Sequence, residues 1–161
     1  MNNNVEIIPF SEEYAEGVAN LAIEAWTPIR ESYRNLLGDE LYSMTFDNWQ
    51  TSKANGVLKA MRSGRGYLAV CDGELAGFVY YIFKEGNMSG EIGGNAVSFK
   101  YRGRGIAQLM YSHVIEKMKA EGARFVTVVT GLDEGHAPAR RAYEKAGFEK
   151  NLPSVCYYKR L

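Results

Sequence analysis

Arginine and glycine alternate at Arg102, Gly103, Arg104 and Gly105, and Ile106 and Ala107 follow. The stretch links a strand-like segment ending near Val97 to a helix-like segment read from about Gly103. Two residues without Cβ atoms let an anion lie against backbone amides. The first turn of the next helix adds unpaired N–H groups and the positive end of its dipole. With two fixed charges beside it, the turn has the chemistry of a phosphate or pyrophosphate socket. It lacks the Gly-Lys-Ser/Thr of a P-loop, and the third slot of G-x-G-x-x-G is Gln108. On these residues alone, an anion socket and an ordinary glycine turn stay equally open.

Groups able to move protons come next. Tyr143 lies in the run His136-Ala137-Pro138-Ala139-Arg140-Arg141-Ala142-Tyr143, ahead of Gly147-Phe148. A core tyrosine with a satisfied hydroxyl and a phenol that donates a proton are both compatible with it. Glu91 sits on a strand beside Gly93 and Gly94, which leave open space or mark a bulge. It reads equally as a plain edge carboxylate or a general base.

The elements that must position these groups follow from periodicity. Residues 5–9 read as a strand, and Ser11 reads as the N-cap of a helix with acids in its first turn. Pro28 is expected to break that helix and start another over 29–37, ended by Gly38. Residues 39–46 are ambiguous, and Asp47 is expected to cap a third helix reaching about 62. A meander follows: strands 66–71 and 75–83 around an Asp72-Gly73 hairpin, then a strand over 89–99. Helix 103–121 buries Ile106, Met110, Val114 and Met118, and Gly122 ends it. Residues 124–130 are apolar on both faces, as in a central parallel strand. A helix over 137–146 and closing strands 148–150 and 155–160 complete one α/β domain spanning 1–161, a mixed sheet with helices on both faces.

The chain has 161 residues, with 19 basic and 19 acidic. That balance argues against nucleic-acid and membrane-surface partners, which favour a basic excess. Cys71 and Cys156 have no metal-binding spacing, so no metal is expected, and both read as buried reduced thiols. The polar start Met1-Asn2-Asn3-Asn4 does not read as a leader, and no run reaches the roughly 20 apolar residues of a membrane span. A cytoplasmic location is the expectation.

The two motifs together resemble the GCN5-related N-acetyltransferase (GNAT) family. Arg102, Gly105 and Ala107 fill its Q/R-x-x-G-x-G/A pattern. Ala139, Tyr143, Gly147 and Phe148 fill N-x-x-A-x-x-x-Y-x-x-x-G-F, with His136 in the asparagine slot. Phe99 stands where the family often has proline. Matched elements cover about 66–160. The resemblance implies a three-layer fold with a mostly antiparallel mixed sheet and a splayed fourth and fifth strand. It implies acetyl-CoA as co-substrate, held by Ala96, Val97, Ser98 and Phe99 at the pantetheine arm. Arg102, Gly103, Arg104, Gly105, Ile106 and Ala107 would meet the pyrophosphate, with His136, Ala139 and Tyr143 across from them. Tyr143 would protonate the departing thiolate, and Glu91 occupies a position where some members carry a catalytic glutamate. The acceptor, a small-molecule or peptide amine, would meet Trp26, Arg30, Tyr33 and Tyr157. Acids nearby, among them Glu31, Asp39 and Glu40, could hold a cationic amine or simply be solvated. A non-catalytic CoA-binding protein on the same fold, or an unrelated nucleotide binder, is the alternative. The oligomeric state, a homodimer included, is left open.

Overall fold

A computed structural model describes residues 4–161; Met1–Asn3, most of the polar start judged not to be a leader, lie outside the described residues. Five strands run in the order β1 (Val5–Pro9), β2 (Gly66–Cys71), β3 (Glu74–Lys84), β4 (Ser89–Val97) and β5 (Phe125–Val128). All neighbours are antiparallel except the parallel pair β4–β5. Side chains alternate between two cores, as the period of two requires. Leu68, Phe78 and Ala96 face Val18, Leu21 and Val57 of α1 (Ala15–Phe46) and α2 (Trp49–Ala60). Ala69, Val79 and Ile92 face α3 (Ile106–Ala120), whose Ile106, Met110, Val114 and Met118 stripe is buried as expected. Tyr143 of α4 (Ala137–Lys145) joins this second core. Among the described residues no helix is long and apolar enough to cross a membrane.

Several boundaries differ from the sequence reading. Pro28 does not break α1; the helix runs through it, and Thr27 Oγ1 donates to the Ile23 carbonyl at 2.8 Å in the adjoining turn. The break comes at Gly38, at φ 76° and ψ 160°, and the ambiguous segment beyond it is helical. Ser11 opens a single 3-10 turn, and its hydroxyl meets Glu13 rather than a backbone amide. Asp47 does not cap α2. Asn48 does so by position, in the left-handed conformation that asparagine tolerates. Helix α3 starts at Ile106 rather than Gly103, because Gly103 and Gly105 both hold positive φ. Residues 148–150 and 155–160 form no strands. Phe148 packs on Tyr143, and the tail beyond it is exposed, begins with Glu149, Lys150 and Asn151, and carries Pro153, which has no N–H to give a ladder. Strand β5 is therefore an edge of four residues, with Phe125 half-exposed, not a buried central strand. Cys71 is buried but Cys156 is exposed, and both are free.

Two glycines make opposite predictions. Gly56 lies inside α2 with ordinary φ and open space around its missing Cβ. Gly122 follows α3 at φ 96°, where the Ala123 N–H bonds the Met118 carbonyl and the Gly122 N–H that of Lys119. Gly56→Ala is expected to stabilise the fold by about 0.5–1 kcal/mol. Gly122→Ala is expected to destabilise it by more than about 0.4–1 kcal/mol. Urea unfolding midpoints measure both.

Candidate active site

Strands β4 and β5 pair only from Ser89↔Phe125 to Ile92↔Val128. Beyond that, β4 continues to Val97 against β3 alone. The two strands part, and a cavity of about 590 Å³ opens where β5 would have continued. Its walls include Asn95, Ala96 and Val97 of β4, the turn at Arg102, Gly103 and Gly105, and Ala139 and Tyr143 of α4. The divergence coincides with a bulge: Tyr80 pairs with Gly94 and Tyr81 with Ile92, so Gly93 has no partner on β3. Gly93 and Gly94 do not leave open space. A Cβ at Gly93 would stand 2.3 Å from the Tyr80 ring, so these glycines let Tyr80 lie flat over the bulge.

The basic turn is built as the motif requires. Gly103 and Gly105 have φ 77° and 79°, in the left-handed region that favours glycine. Nothing lies within 4 Å of either missing Cβ, so backbone conformation, not crowding, demands glycine there. Ile106 and Ala107 open α3 at the cavity wall, and their N–H groups belong to its unpaired first turn. Arg102 lines the cavity; its guanidinium lies 3.7 Å from the Phe99 ring centroid, and Nε donates to the Val97 carbonyl at 3.3 Å. Arg104 lies off the wall, over Tyr101. Ser98 and Phe99 are off it too, and the Phe99 N–H donates to Glu24 Oε1 at 2.9 Å. The β4 edge facing the cavity is therefore Gly93 to Val97, displaced towards the bulge from the Ala96 to Phe99 that the sequence suggested, and the Val97 carbonyl on it is already taken by Arg102.

Tyr143 reaches the cavity through the end of its own helix. The Phe148 N–H bonds the Tyr143 carbonyl at 3.1 Å, the Gly147 N–H bonds that of Glu144 at 3.0 Å, and Gly147 has φ 91°. This is a Schellman end with its hydrophobic contact, since the Phe148 ring stands edge-on to Tyr143 at 6.0 Å. The other side of Tyr143 packs on Tyr111 at 5.3 Å. Its hydroxyl oxygen accepts from Asn95 Nδ2 at 2.9 Å, and Asn95 Oδ1 accepts from the Tyr111 hydroxyl at 2.8 Å. Burial pushes the Tyr143 phenol above the usual range, against the opposing hydrogen bonds from Asn95 and Tyr111. The phenol stays protonated, and because Asn95 donates to its oxygen the O–H is left to act as a donor. Asn95 and Tyr111 were missed by sequence reasoning. The one available signal was an amide inside a strand, where asparagine is disfavoured.

His136 caps α4 and lines the cavity, with Nδ1 2.6 Å from Asp133 Oδ2. Burial works to raise the Asp133 carboxyl, and the His136 contact with the Ser32 hydrogen bond outweighs it, leaving it below its usual range. Glu91 does not reach the wall. It projects on the α1–α2 face of the sheet, next to Tyr80, and pairs with Lys84. Trp26 lines the cavity, whereas Arg30 lines an adjoining hollow of about 260 Å³. Tyr33 stacks between Phe46 and His136, behind the wall. Tyr157 is 91% exposed and away from it. The acids once considered for a cationic amine turn elsewhere: Glu31 is exposed, Asp39 pairs with Arg34, and Glu40 pairs with Arg160.

Lys53 of α2, also missed, lines both hollows. Its Nζ lies 3.5 Å from the Trp26 ring centroid. Burial, then repulsion from Arg30, lowers its pKa to about 8. A lysine at about 8 when folded and about 10.4 when unfolded weakens the fold at neutral pH, and that penalty fades as pH rises from 8 to 10.4. Lys53→Met is therefore expected to be more stable than wild type at pH 7, with the gap narrowing by pH 10. Urea midpoints at both pH values check this.

The model of the acetyltransferase (GNAT) family matches residues 23–148. Solved structures share the fold. An aminoglycoside N-acetyltransferase, AAC(6')-Iy, in complex with CoA is 16% identical, with TM-score 0.68, covering 100% of this chain and 98% of that one. The same enzyme with a bisubstrate analogue, CoA-S-monomethyl-acetylneamine, is 17% identical, with TM-score 0.66 and coverage of 98% and 99%. A PaiA N-acetyltransferase from Thermoplasma acidophilum in complex with coenzyme A is 17% identical, with TM-score 0.68 and 88% of each chain covered. No curated protein matches.

Proposed function

The chain belongs to the acetyltransferase (GNAT) family, and from that premise we propose that it moves an acetyl group from acetyl-CoA directly onto a primary amine of a small molecule or peptide. The observation that carries this reading is the Asn95–Tyr143 hydrogen bond, on the wall of a cavity that follows an unpaired stretch of β4. The residues present suit the co-substrate. The turn at Gly103 and Gly105 and the first amides of α3 would take the pyrophosphate, helped by Arg102. Backbone groups from Gly93 to Val97 would pair with the pantetheine amides as a missing strand would. Thr130 lines the same cavity, and its Oγ1 is buried there without a hydrogen-bond partner.

The attacking amine must be neutral, since an ammonium has no lone pair. It forms the new bond to the thioester carbon; the carbon–sulfur bond breaks, and the sulfur leaves as thiolate. A β4 N–H near Val97 would steady the developing oxyanion. Tyr143 gives the thiolate its proton, because Asn95 already occupies a lone pair of the hydroxyl and leaves O–H as the free donor. For unperturbed groups that transfer is uphill by only about 2 kcal/mol. We assign the amine's own proton, passed through water, to Glu91, which lies off the cavity wall on the α1–α2 face of the sheet and would act from its pair with Lys84.

Acetyl-CoA is expected to raise the melting temperature and to release thiol with an amine. Tyr143→Phe should keep CoA affinity within a few-fold while kcat falls roughly 100- to 10,000-fold. Stabilisation without thiol release across an amine library would leave a CoA-binding protein rather than an enzyme.

Glu91→Gln is expected to lose kcat/KM mainly at low pH, where the amine is mostly ammonium, and to recover towards pH 10. Parallel profiles for wild type and variant would assign the proton to solvent instead.

A further inference from the structure

Among the described residues no aspartate or glutamate lines the main cavity, whereas Lys53, Arg102, Arg141 and Lys145 do. The adjoining hollow holds Arg30 and Lys53 together with Thr45, Phe46, Trp49 and Ser52; its single carboxylate, Asp47, is exposed and accepts from Asn48 Nδ2 at 3.3 Å. Neither Arg30 nor Lys53 forms an ion pair among the described residues. The nearby buried Asp133 is engaged by His136. Arg30 is clamped by aromatic rings, its guanidinium carbon 4.4 Å from the Phe46 centroid and 5.5 Å from those of Tyr33 and Trp49. Its Nε is buried and has no hydrogen-bond partner. Lys53, on its aromatic seat over Trp26, repels Arg30 across the hollow.

We propose that Arg30 and Lys53 form a receptor for an acidic group of the acceptor, so that the amine acetylated belongs to a small molecule that also carries a carboxylate or phosphate. This rests on the acetyl-transfer reading above. Two partly buried cations without an ion-pair partner are costly, and each would gain most from an anion held between them. A guanidinium fixed by three rings offers its N–H edge in a set direction, which suits the two oxygens of a carboxylate or phosphate. Lys53 faces both hollows, so an acid bound there would leave the amine of the same molecule free to extend along Trp26 into the main cavity. A polycationic acceptor such as an aminoglycoside would meet a wall in which Arg30 and Lys53 outnumber the one exposed carboxylate, Asp47. The fold shared with an aminoglycoside enzyme therefore does not carry its acceptor over to this chain.

Matched pairs test the proposal: γ-aminobutyrate against γ-aminobutyramide, and phosphoethanolamine against ethanolamine, with spermidine and an aminoglycoside as polycations. The acid of a pair is expected to have a KM about tenfold or more below its neutral partner. Arg30→Gln and Lys53→Met should each raise the KM of the acids, bring the ratio towards one and leave the KM of acetyl-CoA unchanged. Equal KM values within pairs, or preference for the polycations, would overturn the proposal while leaving acetyl transfer intact. A second measurement does not need turnover or a variant that folds. The Lys53 pKa, followed by NMR of labelled lysine in wild type, should rise when γ-aminobutyrate or inorganic phosphate is added and stay put with γ-aminobutyramide. A rise with no amine acetylated would keep the anion receptor and sink the acetyl-transfer reading; no rise would overturn the receptor.

Discussion

The parting of β4 from β5 after Ile92 and Val128 is the constraint on which the rest depends. A strand edge facing a cavity leaves N–H and C=O groups that must find partners or pay the cost of desolvation. The chain does not repair this edge internally. Asn95, paired with Val79 on β3 but with nothing on β5, enters a side-chain network, and α4 rather than a further strand closes the far side. Divergence needs β4 to bend, and the bulge at Gly93 supplies the bend while Tyr80 covers it. Cavity, bulge and network are thus one feature: a sheet that stops pairing where a ligand backbone can take over.

What could be read in the sequence was local. Arg102 to Ala107 and Tyr143 to Phe148 are legible because each encodes a backbone event within a few residues. In one, glycines adopt positive φ ahead of α3. In the other, a Schellman end fixes the Tyr143 ring against Phe148. Much of the motif after Tyr143 is therefore a helix stop, and its catalytic candidate is placed by that stop. The meander was legible for the same reason, since Asp72 and Gly73 both adopt the positive φ of a tight hairpin.

What could not be read depends on register between distant elements. Asn95 and Tyr111 meet only because β4 and α3 lie side by side in one alignment, and a single-residue slip of the strand would turn Asn95 to the opposite core. Lys53 of α2 meets Trp26 and Arg30 of α1, a contact between helices that no local signal encodes; the stop at Gly38 was legible, whereas the break expected at Pro28 is absent. The tail failed for a related reason. Apolar residues such as Val155 and Tyr157 suggest a strand, yet strand formation needs an edge in reach, and β5 keeps only four residues in register.

The electrostatics of the two hollows explain why such a costly arrangement persists. In the free protein Lys53 and Arg30 repel each other, and burial strips part of their hydration, so the fold carries a penalty at neutral pH. An anion bound between them reverses the sign of the interaction. By linkage, whatever the anion gains from a protonated Lys53, Lys53 gains in proton affinity from the anion. Binding therefore draws a proton onto Lys53 at a pH near its free value of about 8. Under the proposed reading, the amine to be acetylated must lose a proton before it can attack. One residue taking up a proton as the substrate seats, while the reacting group gives one away, would keep the net charge of the occupied site nearly constant, and a main cavity lined by arginine and lysine with no carboxylate among the described residues tolerates little change in it.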